Sequence, residues 1–163
     1  MNPSPHIAIR AVRPDDKQRI VAAFRGLDPR TVYLRFFSQR KEPDEEELRR
    51  ITGSDGVTEV VLVATVGSGD AEAIVGLGQY VRTGVAAEIA FVVEEDFRRQ
   101  GIASRLLKRL ARIAGANGIT RFEADVLHEN TPMLEVLRRS GLRMREYLEE
   151  GVVHATLDLA PGI

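Results

Sequence analysis

The sequence predicts an α/β domain whose mixed sheet is covered by helices on both faces. Three observations predict it. The chain has 163 residues, the size of one domain. Short β-branched and apolar runs bounded by glycine turns recur along it, and two late segments space their apolar residues as helices do.

Taken in order, Ile7 to Val12 alternates weakly and stops at Arg13-Pro14, which predicts a first strand. Asp15 and Asp16 favour a helix start. Ile20, Val21, Ala23, Phe24 and Leu27 continue at helical spacing until Gly26-Leu27-Asp28-Pro29 ends the element. An irregular helical stretch runs through Thr31-Val32-Tyr33-Leu34-Arg35-Phe36-Phe37. After Pro43 a third, strongly acidic helix opens with Asp44 at capping-box distance from Glu47. Glu59 to Thr65 and Ala73 to Val81, joined by Gly67-Ser68-Gly69-Asp70, predict a hairpin, and Ala86 to Val93 predicts a further strand. The longest helical pattern sets Ile102, Leu106, Leu110 and Ile113 on one stripe, turns Arg105, Lys108, Arg109 and Arg112 away, and closes at Gly115 to Gly118. Arg121 to Val126 reads as a short strand and Thr131 to Ser140 as a helix ended by Gly141. Met144 to Glu149 with Val152 to Leu159 reads as a closing hairpin.

Composition narrows the function classes. A hydrophobic share of 44% against 29% charged is that of a globular chain. With 23 basic and 24 acidic residues the net charge is −1, so no global field draws the chain to nucleic acid or anionic lipid. The absence of cysteine excludes disulfides, thiolate zinc sites and cysteine nucleophiles. Met1 to Lys17 has no apolar signal core, and the longest apolar stretch, Val60 to Val66, is far short of the ~20 residues that span a bilayer. His6, His128 and His154 lack metal-ligand spacing. The expectation is a cytoplasmic protein with no metal and no membrane or nucleic-acid partner.

The most informative segment runs from the apolar strand through Glu94-Glu95-Asp96-Phe97 into Arg98, Arg99, Gln100, Gly101, Ile102, Ala103 and Ser104, and then into the long helix. Unpaired N–H groups and the positive end of the macrodipole suit a helix start to an anion, and small residues at 101 and 103 let a phosphate approach the backbone. From Phe97 to Arg121 there are seven basic residues and no acidic one. Two readings stand at this point: a diphosphate cradle, or a plain turn followed by a solvated basic helix face.

Arg98, Gly101 and Ala103 match in register the acetyl-CoA motif of the GCN5-related N-acetyltransferase (GNAT) superfamily: Arg or Gln, two residues, Gly, one residue, then Gly or Ala. The resemblance extends to Asn130 and the helix ending at Gly141-Leu142. It also extends back to Tyr33-Leu34-Arg35-Phe36-Phe37 and Ala87-Glu88-Ile89-Ala90-Phe91, segments that look most like the bacterial Pat-type protein lysine acetyltransferases. It implies a GNAT-like, mostly antiparallel central sheet with helices on both faces, in one acetyltransferase domain spanning 1–163. It implies acetyl-CoA as co-substrate and a primary amine as acceptor, with a protein lysine suggested by the Pat-like segments. Pat-like proteins also fuse this domain to sensing domains; none fits in this chain, so regulation in cis is not expected. Whether the protein is a monomer or a homodimer is left open.

Glu88 lies inside an otherwise apolar strand, where an unpaired buried carboxylate is costly; it must face solvent or a cavity, or be protonated or paired. Alternation sets Glu88, Ala90 and Val92 on one face and Ile89, Phe91 and Val93 on the other. By itself Glu88 is either an outward carboxylate or a site group, and Glu123 or Asp125 replaces it if the face assignment is wrong. The resemblance makes Glu88 the general base. An alkylammonium with a pKa of ~10.4 must lose a proton before attack, and a carboxylate takes it directly or through water. The backbone of Phe91, Val92 and Val93 is then expected to hold the thioester and pantetheine, and Asn130 either the pantetheine or only its own helix.

Many superfamily members carry a proton-donating tyrosine where this chain has Leu137, so the usual general acid is missing, and Tyr80 and Tyr147 have no assigned place. The acidic run Glu42, Asp44, Glu45, Glu46 and Glu47 is either a soluble helix face or an attractor for a lysine-bearing surface. Two alternatives stand beside protein lysine acetylation: a small-amine acetyltransferase, and a non-catalytic acyl-CoA-binding regulatory module.

Overall fold

A computed structural model of the chain describes residues 6–27, 44–94, 97 and 100–159. Strand β1 (Ala8–Ala11) leads through a 3-10 turn at Pro14–Asp16 into α1 (Lys17–Arg25), and α2 (Glu45–Thr52) follows. Strands β2 (Glu59–Val66), β3 (Ala73–Thr83) and β4 (Ala86–Val93) run in succession before α3 (Ile102–Ala116). The chain continues through β5 (Arg121–Leu127), α4 (Thr131–Arg138), β6 (Arg143–Glu149) and β7 (Val152–Asp158). The helical stretch expected at 31–37 lies outside the described residues.

The seven strands among the described residues form one sheet in the order β1-β2-β3-β4-β5-β7-β6. Every neighbouring pair is antiparallel except β4 with β5. That exception follows from α3, a crossover helix that returns the chain to the same end of the sheet. Helices α3 and α4 pack on one face, where Leu106, Leu110, Leu134 and Leu137 meet Ala87, Phe91, Phe122 and Val126. On the opposite face Ile20 and Phe24 of α1 and Leu48 and Ile51 of α2 cover Val61, Val63, Leu77 and Val92. The second layer is therefore partial. Beyond β4 that face carries Arg121, Glu123, Asp125, His154 and Tyr147, all at least partly exposed.

Asp44 caps α2 as its spacing predicts, accepting the Glu47 N–H at 2.8 Å. Asp16 acts differently. Its carboxylate, fully buried, takes the Arg10 guanidinium in two bonds of 2.7 and 2.8 Å and the Arg13 N–H at 2.7 Å, tying β1 to the start of α1. Burial alone would raise this carboxyl, but the bonds from Arg10 and Arg13 outweigh it and hold it at about 2, against 3.8 for an unperturbed group. A folded-state pKa below the unfolded one contributes stability that is whole above about pH 4 and drains away as the pH falls through about 2. Thermal melts from pH 6 to 2 should show that fall. Asp16→Asn should melt lower at neutral pH, because it leaves Arg10 poorly partnered, and should show a shallower acid decline.

Helix α3 buries Ile102, Leu106, Leu107, Leu110 and Ala114. Ile113, expected on the core stripe, is only partly buried, and Leu107 takes the deeper place. Arg105 and Arg109 do not simply face solvent; they donate to the Ile7 and Ile9 carbonyls at 3.2 and 3.3 Å and fasten α3 to β1. Among the described residues no helix is long and apolar enough to cross a membrane.

Candidate active site

Strands β4 and β5 begin side by side, pairing Ala86 with Arg121, Ala87 with Phe122 and Glu88 with Glu123, and pair no further. Both continue, β4 to Val93 and β5 to Leu127, so the sheet opens between them. The gap is a cleft of about 440 Å³, mouth included, walled by Ile89, Ala90 and Phe91 on one side and Ala124, Asp125 and Val126 on the other. Asn130, Met133 and Leu137 complete its lining.

Main-chain direction decides which groups face this gap. The Glu94 N–H donates to Val75 of β3 at 2.9 Å, while the Val85 carbonyl accepts from Thr120, on the β5 side, at 2.7 Å. Successive residues of a strand point their polar backbone groups to opposite sides. Phe91 and Val93 therefore turn N–H and C=O toward β5, past the last paired rung at Glu88 and Glu123. Val92 turns toward β3, and its side chain joins the opposite core with α1.

The wall formed by Phe91 depends on a glycine. A Cβ at Gly78 would lie 2.9 Å from Phe91 Cδ1 and 3.2 Å from Leu106 Cβ, so β3 and α3 approach closely there. Gly76 and Gly78 thus serve packing, consistent with their position inside a strand. Gly78→Val should cost about 1–3 kcal/mol by overpacking and raise the Michaelis constant for the cleft's ligand as Phe91 shifts, which melts and steady-state rates will show.

At the outer end, Gly101 sits before α3 with φ 75° and ψ 15°, a left-handed conformation suited to glycine. A Cβ there would meet nothing within 4 Å, so the space above this backbone is open. The first helical bond runs from Arg105 N–H to Gly101 O at 2.9 Å, which leaves the N–H groups of Ile102, Ala103 and Ser104 without a partner inside the helix. Ile102 buries its side chain, whereas Gln100, Gly101 and Ser104 are exposed. Arg98 and Arg99 lie outside the described residues. Such a helix start fits a diphosphate.

Three carboxylates share the face of the sheet that α1 and α2 leave open at β5. Glu123 pairs with Arg121 at 3.2 Å, and Asp125 with His154 Nδ1 at 2.7 Å. Glu88, exposed at the closed end of the cleft, has no partner among the described residues. It is not a lining residue; Ala90, two positions on and on the same face, is. The step between them is about 7 Å, room for one water. The acidic turn of α2 is on this side too, with Glu45 3.4 Å from Lys17; Glu42 lies outside the described residues.

A model of the acetyltransferase (GNAT) family matches residues 24–142. The chain belongs to that family. The family is one of acetyltransferases, for which acetyl-CoA is the co-substrate. The chain is 33% identical over 157 residues to acetyltransferase Pat of Mycolicibacterium smegmatis, which covers 94% of this chain and 46% of that protein. An acetyltransferase of Pseudomonas aeruginosa is 26% identical over 115 residues, 69% of this chain and 62% of its own length. The chain thus spans less than two thirds of these curated relatives. Among solved structures, the GNAT domain of S. lividans PAT matches with a TM-score of 0.84 and 28% identity, covering 97% of this chain and 99% of that one.

Within the GNAT frame the remaining residues take definite places. Asn130 both caps α4, accepting the Met133 N–H at 3.4 Å, and lines the cleft. Leu137, at the position where the resemblance leads one to look for a tyrosine, lines the cleft. Tyr80 is fully buried among the α3-side core, its hydroxyl accepting from the Asn117 amide at 3.2 Å, and it is not among the residues that line the cleft. Tyr147 stands exposed on β6, stacked on His154 with ring centroids 4.8 Å apart. His128 joins the Gly151 carbonyl at 3.1 Å. Among the described residues no three metal-ligating side chains gather.

One group beside the cleft had no reading in the sequence. Gln79 of β3 is buried opposite Ala90, and its Oε1 has no hydrogen-bond partner. The signal available was a single carboxamide inside the apolar run Ala73–Thr83.

Proposed function

We propose that residues 1–163 form one acetyltransferase domain that moves the acetyl group of acetyl-CoA directly onto the side-chain amine of a protein lysine. The observation that carries this reading is the parting of β4 from β5 after Glu88, which leaves the Phe91 and Val93 main chain unpaired along a cleft that ends at the α3 N-terminus. The diphosphate of acetyl-CoA lies against the N–H groups at 101–104, with Gln100 at the rim; the motif residues Arg98 and Arg99, which precede it in the chain, are proposed to add positive charge. Pantetheine follows the cleft along Val93 and the free amide edge of Asn130. Val92 contributes no main-chain group, since its own turn to β3.

Glu88 takes a proton from the lysine ammonium through one water. The neutral nitrogen attacks the thioester carbon, a C–N bond forms, and the carbonyl electrons move onto oxygen, which the Phe91 N–H steadies. Collapse restores the carbonyl and breaks the C–S bond, and the surplus proton on the nitrogen passes to solvent water, leaving a neutral amide. The thiolate leaves as an anion, tolerable for a thiol of pKa about 8.5, which suits a site with Leu137 in place of an acid. Glu88 is favoured over Glu123 and Asp125 because those two carry cationic or histidine partners. The lysine acceptor rests on the Pat-like segments and the similarity to Pat.

The test is thiol release from acetyl-CoA with folded lysine-bearing proteins, lysine peptides and small amines as acceptors. Turnover on proteins or peptides is expected. Turnover confined to small amines moves the assignment to that class, and acetyl-CoA binding without turnover on any acceptor overturns it in favour of a regulatory module.

A further inference from the structure

Gln79 sits on β3 between Gly78, which turns toward Phe91 and Leu106, and Tyr80, which is buried in the α3-side core. Its side chain therefore faces the opposite way, to the side that carries Glu88. Only 8% exposed, it lies in the sheet row between Val61 and Ala90. Its Oε1 is buried and unpartnered, an arrangement that costs stability unless something else supplies a donor. Ala90 is a wall of the cleft, so the sheet row that holds Gln79 borders it, although Gln79 is not itself a lining residue. Glu88 is the diagonal neighbour, with Cα atoms about 7–8 Å apart.

We propose that the Gln79 carboxamide is a docking group for the acceptor nitrogen. This rests on the amine acetyl transfer proposed above and adds the residue that orients the amine. A lysine ammonium entering above Ala90 has three N–H donors. One proton goes to Glu88 by way of water; of the two N–H groups left on the neutral amine, one is held by Gln79 Oε1, which turns the nitrogen lone pair into the cleft toward the thioester carbon. Gln79 exchanges no proton itself. Its unmet acceptor in the free enzyme is the vacancy that the substrate fills, so the group is a binding residue whose cost is borne by the folded protein alone.

Gln79→Met keeps the shape and removes the acceptor. The expected result is a Michaelis constant for a lysine peptide raised about tenfold, acetyl-CoA affinity unchanged, and a melting temperature equal to or above that of the wild type, since an orphaned polar group has gone. A lower melting temperature with an unmoved peptide Michaelis constant means that Gln79 is structural and overturns the proposal. A second readout needs no variant: in the wild-type protein, the Gln79 side-chain amide NMR signals should shift when lysine peptide is added in the presence of CoA, and unmoved signals overturn it as well. Wild-type protein that acetylates no amine removes the parent reading and this one together, whereas wild-type turnover with an indifferent Gln79 removes this one alone.

Discussion

Glu88→Gln is expected to lower kcat by about 10²- to 10³-fold, the range of a positioned general base, while the dissociation constant for acetyl-CoA stays as it is. The two side chains have one shape, and glutamine still hydrogen-bonds water, so only the proton-accepting capacity is lost. Because Glu88 is exposed and makes no ion pair with the described residues, the change should move stability by less than about 0.5 kcal/mol. Rates come from thiol release and affinity from calorimetry. Equal losses in rate and affinity would make Glu88 a binding group. The control is Asp125→Asn, which breaks the 2.7 Å contact with His154 but spares Glu88. A larger loss there would hand the base role to Asp125.

Gly101→Glu should weaken acetyl-CoA binding by more than 100-fold. Two effects act together and can be separated. The left-handed backbone at Gly101 disfavours any side chain, by about 1–2 kcal/mol, while the empty space around its Cβ position means that the free protein suffers no clash. A carboxylate at a helix start is favourable to the helix itself, which offsets part of that cost. The same carboxylate occupies and repels the seat of a diphosphate. Gly101→Ala carries the strain without the charge, so it should lose a few degrees of melting temperature and much less affinity. Binding of acetyl-CoA to Gly101→Glu with unchanged strength would detach the cradle from this segment.

Much of this was legible in the chain. Strand β4 runs over the expected residues, Ala86–Val93, because a largely apolar, β-branched run between Gly84 and the acidic sequence Glu94-Glu95-Asp96 favours extended backbone. The α3 start was legible too, since a glycine at positive φ followed by a 3.6-residue apolar stripe is a local property. The ends of helices were read less well: α4 stops at Arg138 rather than Ser140, because its last turn yields to the left-handed Gly141. Arg105 and Arg109 were read as solvated, yet they bind the Ile7 and Ile9 carbonyls, 98 and 100 residues earlier in the chain.

By itself, the sequence determined the class of fold, the order of the described elements and the glycine bend before α3, since periodicity, glycine placement and helix-end polarity act within a few residues. Tertiary structure decided the rest. Which carboxylate stays unpaired depends on Arg121 beside Glu123 and on His154 reaching Asp125 from β7. That an amide on β3 faces Ala90 without a partner depends on the register of strands joined across a turn. Those are matters of cross-strand alignment, where one residue of slip would turn each side chain to the other face of the sheet.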